Sequence, residues 1–399
     1  MAGTSGFSVS GYGPERGLWA TLAARDSLAR RLDWPLMFSA LALSAVGSVL
    51  VWSATRNRTD LNTGDPYHFF FRHILNTGIG FALMIGTIWL GHRTLRGAVP
   101  VLYGVSVVLV LLVLTPLGAT INGAHAWIVL GGGFTLQPSE FVKITIILGM
   151  AMMLAARVDA GDQVHPDHRT VAKSLGLAVV PIMIVMMMPD LGSVMVMAVI
   201  VLGVLLSSGA SNRWIFGLVG AGVVGAVAVA ALGVLDEYQI NRFAAFANPE
   251  LDPAGVGYNT NQARIAIGSG GLTGTGLFKG SQTTGQFVPE QQTDFVFTVA
   301  GEELGFLGAG LILLLLGVVL WRACRIARET TELYGTIVAA GIIAWFAFQS
   351  FENVGMTLGI MPVAGLPLPF VSYGGTSMFA VWIAVGLLQS IRVQKPMSA

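Results

Sequence analysis

Long apolar runs separated by short polar punctuation fill the chain, at 35–55, 69–90, 98–117, 137–156, 174–188, 191–206, 214–235, 295–321, 333–358 and 370–391. About 20 apolar residues in a helix cross a ~30 Å hydrocarbon core, and most of these runs reach that length. None shows the apolar–polar alternation of a membrane barrel strand, and lipid obliges each spanning segment to satisfy its own backbone. The pattern predicts an all-α polytopic membrane protein with ten transmembrane helices. Residues 1–33 read as a polar N-terminal tail, 34–399 as the membrane domain, and 236–294 as one long connection within it.

Charge sets the orientation. With the N-terminus inside, the cytoplasmic segments hold 15 of the 22 Lys and Arg residues, against six outside and Lys143 within a span. The excess of basic residues on the cytoplasmic side therefore predicts both termini inside and the 236–294 loop outside. The fifth and sixth runs form a hairpin of legs about 16 residues long, or ~24 Å. That is short of the ~30 Å core, so the Pro189-Asp190 turn is expected to lie in a depression of the outer face.

Composition narrows the function. Only 11% of residues are charged and 54% are hydrophobic, whereas a soluble domain carries about 25% charged residues. A net charge of +1 supplies no basic face for nucleic acid. Cys324 is the single cysteine, so neither an intramolecular disulfide nor a cysteine metal site is available. The N-terminal 33 residues lack the apolar core and small-residue cleavage site of a signal peptide. His165 and His168 read as solvated loop residues.

Charges within spans are costly, about 2.5–3.5 kcal/mol each on insertion scales, and so mark candidate chemistry. The fourth span opens Gln137-Pro138-Ser139-Glu140-Phe141-Val142-Lys143. Pro138 suits a first helical turn, and Glu140 and Lys143, three apart, share a face and can pair. Asp190 shows no partner nearby in sequence. The outer loop carries the run Gly268-Ser269-Gly270-Gly271-Leu272-Thr273-Gly274-Thr275-Gly276 and ends in Pro289-Glu290-Gln291-Gln292-Thr293-Asp294. No Gly-Lys-Ser/Thr follows the glycines and no buried strand precedes them, which excludes a nucleotide loop. Close backbone approach to a ligand or plain turn chemistry remains. Asp294 sits where polar sequence yields to the eighth span, and Glu302 and Glu303 lie one or two turns deeper. Gly365-Leu366-Pro367-Leu368-Pro369-Phe370-Val371-Ser372-Tyr373 mixes helix breakers with apolar residues, a pattern tolerated at membrane depth only inside protein or against a cavity.

Together these segments resemble the RodA/FtsW/SpoVE family of shape, elongation, division and sporulation proteins. The matching stretches are Gly123-Ala124 with Trp127, Gln137-Pro138-Ser139-Glu140 with Lys143, Pro189 to Gly192, and Gly255 to Tyr258. Further matches are Ala266 to Gly271, Pro289-Glu290 with Thr293-Asp294-Phe295, Glu302 to Gly305, Asn353 to Gly355, and the Pro-Leu-Pro to Ser-Tyr-Gly-Gly stretch. Two positions depart from the family pattern. Ala126 stands where arginine is common, which weakens an arginine–pyrophosphate contact there. Gln292 stands where histidine is common, so no histidine beside the acid can serve as base.

The resemblance implies ten helices and a peptidoglycan glycosyltransferase that polymerises lipid II outside the bacterial cytoplasmic membrane. It also implies lipid II and a growing glycan strand as the molecules bound, and a class B penicillin-binding protein, a transpeptidase, as partner. The Gly-Ser-Gly-Gly stretch looks most like the elongation branch. Such chemistry needs a base for a weak hydroxyl nucleophile and a counter-charge for the departing pyrophosphate, from cationic residues or a divalent ion such as Mg or Mn. Asp294 is the expected base or metal ligand. Glu140, Lys143, Asp190, Trp127, Gln137, Ser139, Glu290, Thr293, Glu302 and Ser372 are the expected cavity residues, with Lys143 toward phosphate. A flippase for lipid II would show the same buried charges and broken helices but needs access from both faces. A non-catalytic scaffold leaves those charges unexplained.

Overall fold

The computed structural model describes residues 28–58, 64–121, 124–131, 134–188, 190–231 and 256–394. Its main helices, in chain order, are α1 (Trp34–Thr55), α2 (His68–Leu90), α3 (His92–Val113), α4 (Pro138–Asp159), α5 (His168–Met186) and α6 (Leu191–Ser207). They continue with α7 (Asn212–Ala231), α8 (Val256–Ser269), α9 (Val296–Glu303), α10 (Gly305–Glu329), α11 (Leu333–Leu358) and α12 (Gly375–Val393). Among the described residues, α1 to α5 and α10 to α12 are long and apolar enough to cross a membrane. The sixth predicted span is the shorter apolar helix α6, and the seventh falls on α7. Most of residues 1–33, with 236–255 of the long loop, lie outside the described residues.

Burial sorts the helices into two sets. α1, α4, α11 and α12 are more than half buried within the protein, whereas α2, α3, α5 and α10 leave most of their apolar surface open. Exposed Trp89, Phe216, Phe306 and Leu307 are apolar surface that lipid, not water, would cover. Because lipid tails are as apolar as leucine, such helices associate through close packing at small residues. A Cβ placed on Gly203 of α6 would lie 2.5 Å from Ala344 Cβ on α11, and one on Gly341 of α11 would lie 2.9 Å from Ile147 of α4. The α4–α6–α11 core depends on these gaps.

Side-chain caps set the starts of α1, α5 and α6. Asp33 accepts from the Leu36 amide at 3.1 Å with Pro35 in the first turn of α1, a side-chain cap. Asp33 is also gripped by Arg322, whose Nε and Nη2 donate to it at 2.8 and 2.6 Å. The tail boundary at residue 33 is therefore part of the packed domain. Asp167 caps α5 through the Thr170 amide, so α5 begins six residues before the predicted 174. At 19 residues it rises about 28 Å, and only α6 remains a short leg. The inference of a sunken Asp190 turn loses one of its two supports.

Three further departures from the sequence reading concern the connections between spans. The third span stops at Val113 rather than 117, ahead of Pro116, which has no amide to donate. Residues 118–136 then form a three-stranded antiparallel sheet, β1 (Gly118–Ile121), β2 (Ala124–Gly131) and β3 (Phe134–Leu136), with Ala119 opposite Trp127 and Ile128 opposite Leu136. The long connection is not all loop, since α8 occupies 256–269. The eighth span is broken, with α9 ending at Glu303 and α10 starting at Gly305, whose φ is +67°.

The glycine run explains that break. Thr275 and Gly276 amides donate to the Glu302 and Glu303 carbonyls at 2.9 and 3.1 Å, while Phe306 and Leu307 amides donate to Gly271 and Leu272 at 2.9 and 3.1 Å. Both ends of a broken helix leave backbone groups without intrahelical partners, and the run supplies them. A Cβ on Gly270 would lie 1.9 Å from the Gly301 carbonyl oxygen, and one on Gly274 2.1 Å from that of Glu303. Of the two roles open from sequence, close approach is the one seen, and it is to the chain's own backbone.

Candidate active site

Two acids gather around the irregular segment from Gly359 to Gly374. Asp190 is the N-cap of α6, its Oδ1 accepting from the Ser193 amide at 3.0 Å. It therefore does have a partner close in sequence, contrary to expectation, and an anion there is favoured by the helix dipole. Its Oδ2 accepts from Gln137 Nε2 at 3.2 Å and Ser139 Oγ at 3.5 Å. Gln137 is held in turn, its amide donating to Thr376 Oγ1 at 3.1 Å while that hydroxyl donates to the Thr135 carbonyl at 3.0 Å. The start of α4, the end of β3, the start of α6 and the start of α12 thus meet at Asp190.

Asp294 stands in the turn that leads into α9. Glu290, at φ +50°, offers its carbonyl to the amides of Thr293, Asp294 and Phe295. Its carboxylate accepts from Thr293 Oγ1 at 3.1 Å and Gln292 Nε2 at 3.3 Å. Where histidine is common in the resembling family, Gln292 serves as a buried strut, and its carbonyl accepts from the Tyr373 amide at 2.8 Å. Ser372 donates to the Thr293 carbonyl and accepts from the Leu368 amide. Asn353 of α11 donates to the carbonyls of Asp294 and Leu366 at 2.8 and 2.7 Å. Gly365 has φ +70°, and a Cβ on it would lie 3.4 Å from Asp294 Oδ2. One on Gly192 would lie 2.6 Å from the Ala364 carbonyl oxygen. The stretch 364–366 therefore touches both the first turn of α6, which Asp190 caps, and Asp294.

The expected cavity residues divide by accessibility. Trp127, Gln137, Asp190, Glu290, Thr293 and Asp294 are partly exposed, whereas Ser139, Glu140, Lys143, Glu302 and Ser372 are buried. Trp127 stands on the central strand of the sheet. Lys143 donates to Glu140 at 2.7 Å and to Gln349 Oε1 at 3.3 Å, and its ammonium lies 4.8 Å from the centre of the Trp345 ring. The pair forms as its spacing requires, but the ammonium is enclosed and presents nothing to a phosphate. Glu302 accepts from the Gln282 and Thr283 amides at 2.7 and 2.9 Å and from Thr283 Oγ1 at 2.7 Å. It anchors the turn at 281–283.

Gln349 and Asn353 carried no assigned role in the sequence reading. Their signal was two side-chain amides four apart inside an apolar span, hence on one helix face. Among the described residues, no three His, Cys, Asp or Glu side chains converge as metal ligands would.

Comparison with known proteins places the chain. It matches the family described as cell cycle protein, of the FtsW, RodA and SpoVE type, over residues 34–396. It is 37% identical over 363 residues to stage V sporulation protein E of Bacillus subtilis (strain 168), covering 90% of this chain and 96% of that one. It is 36% identical to the probable peptidoglycan glycosyltransferase FtsW of Trichlorobacter lovleyi, covering 90% and 92%. Among solved structures, a chain of a peptidoglycan synthase complex that coordinates polymerization and crosslinking superposes with TM-score 0.73 at 31% identity, over 92% of this chain and 99% of that one. The rod shape determining protein RodA of Thermus thermophilus superposes with TM-score 0.66 at 30% identity, over 92% and 98%. With a match along almost its whole length, and the broken-helix site embedded in it, this multi-pass membrane protein belongs to the FtsW/RodA/SpoVE family.

Proposed function

We propose that the chain is a peptidoglycan glycosyltransferase that polymerises lipid II, with Asp294 as the reacting carboxylate. The observation that carries this reading is a partly exposed Asp294 whose main chain is bonded on both sides, to Glu290 and to Asn353. A group held this rigidly at an accessible surface is suited to catalysis. The names of the relatives, which include peptidoglycan glycosyltransferases, support the substrate class.

In the proposed step a sugar hydroxyl of one lipid-linked molecule attacks the anomeric carbon of another. The new C–O bond forms as the bond to pyrophosphate breaks, undecaprenyl pyrophosphate leaves with the electron pair, and the hydroxyl proton passes to Asp294. One displacement at an α-linked donor inverts the centre and gives a β-linked strand. Charge on the leaving group calls for a cation. The residues around Asp294 do not build a metal centre by themselves, and Mg or Mn bound there would take its other ligands from phosphate oxygens and water.

The reading places the site on the outer face of the bacterial cytoplasmic membrane, from the distribution of basic residues. A cytoplasm-active reporter fused near residue 165 should be active and one near residue 262 silent; activity at 262 would overturn the orientation. The partner is a class B penicillin-binding protein, in keeping with a structural neighbour that couples polymerization to crosslinking. Purified chain with lipid II should make glycan polymer, and more with that transpeptidase present. Lipid II moved between leaflets without polymer would favour the flippase. The enclosed Glu140–Lys143 pair has the form of a strut rather than a gate.

Within this activity the Gly268-Ser269-Gly270-Gly271 stretch favours elongation. Division or sporulation is the second reading, favoured by relatives that bear FtsW and SpoVE names. Which transpeptidase associates with the chain separates the two.

A further inference from the structure

We propose that Asn353 is a positioning residue for the reacting carboxylate, an inference that rests on Asp294 having that role. Asn353 is wholly buried on α11. Its single amide nitrogen donates to the Asp294 carbonyl at 2.8 Å and the Leu366 carbonyl at 2.7 Å, while its Oδ1 finds no partner among the described residues. The side chain is thus held for its two donors, and those donors join segments far apart in sequence.

The end of the segment they hold is tied to the Asp294 turn through Tyr373 and Ser372, and its middle is tied to α11. Pro362, Pro367 and Pro369 lack amides, and the stretch from Gly359 to Gly374 belongs to no helix or strand; the Leu366 and Pro367 carbonyls are caught by side chains of α11. Gln349, one turn before Asn353, donates Nε2 to the Pro367 carbonyl at 2.7 Å, and its Oε1 accepts from Trp345 at 2.7 Å and from Lys143 at 3.3 Å. Two successive carbonyls of the proline-rich segment are therefore fastened to one face of α11. Of the two amides, Asn353 alone reaches Asp294 as well. Bringing both carbonyls to one nitrogen sets the distance between the carboxylate and the wall at Gly365. A neutral amide suits this role: a cation in its place would pair with Asp294 and neutralise the charge that has to accept a proton.

The test uses the full chain with its transpeptidase partner and lipid II as substrate, comparing Asn353→Ala, the isosteric Asn353→Asp and Asp294→Asn with wild type. Both Asn353 variants should lose about 10- to 100-fold in kcat, the scale of a ~1 Å misplacement. KM for lipid II should stay within about twofold, because uniform binding is untouched. Partner association should remain that of wild type, while the thermal midpoint falls by a few degrees, because two buried carbonyls lose their donor; the fall in kcat should persist well below that midpoint. An inactive Asp294→Asn beside Asn353 variants of normal kcat would overturn the positioning role and leave the catalytic reading standing. A raised KM at unchanged kcat would make Asn353 a substrate-binding residue and also overturn it. An active Asp294→Asn would overturn both. If neither Asn353 variant folds, Asn353 belongs to the fold alone and the inference is lost.

Discussion

Asp294→Asn should insert, fold and associate with the transpeptidase partner, yet make no glycan polymer from lipid II. The substitution keeps size and hydrogen-bonding capacity and removes basicity and charge together. A positioned base contributes typically about 10²–10⁴-fold, so polymer should fall below detection in an assay of ordinary range. The fold should persist because two contacts that seat this residue come from its main chain and survive the substitution: its amide donates to Glu290 and its carbonyl accepts from Asn353. Asp294→Glu should retain at most a trace, since one more methylene moves the carboxylate by about 1 Å, an error worth on the order of 10²-fold. Near-normal polymer length and rate from the Asn variant would remove Asp294 from the chemistry. An unfolded Asn variant would make it a structural residue.

Lys143→Ala should be the most destabilising single change in the bundle core. It leaves Glu140 with an uncompensated charge at 1% exposure, and breaking a buried pair in this way costs about 3–5 kcal/mol. The folded fraction recovered from detergent should drop sharply, with a lower thermal midpoint. Glu140→Gln together with Lys143→Met removes both charges at similar volume, and such replacements are often neutral or stabilising. The double variant should therefore regain stability without regaining polymerisation, because methionine cannot donate to Gln349, whose amide holds the Pro367 carbonyl. Full polymerase activity in the double variant would show that the Lys143–Gln349 bond does not bear on the site.

The flank of the site was harder to read than its centre. Asp294 announces itself as an acid at the edge of an apolar run, and Glu140 and Lys143 as charges inside one. Their neighbours carry no such mark. Glu302 looked equally functional in sequence, yet its carboxylate is spent on the amides of Gln282 and Thr283. The sheet at 118–136 leaves little mark in the sequence because its longest strand has eight residues and lies between spans whose apolar signal is far stronger.

What the chain order alone determined is whatever depends on neighbours within a few residues. Runs of apolar side chains dictate helices because lipid offers the backbone no other partner, and spacing of three dictates the Glu140–Lys143 contact because such residues lie one above the other. Only the tertiary structure decided which distant groups meet. Asp33 and Arg322 pair across 289 positions, the glycine run from 268 to 276 completes a helix broken at Gly305, and Asn353 ties Asp294 to Leu366. A glycine, an asparagine or a buried carboxylate has the same local appearance whether it serves a turn, a ligand or a remote carbonyl. The choice among them is made by backbone brought close through packing, and that distance is not written in any local stretch of sequence.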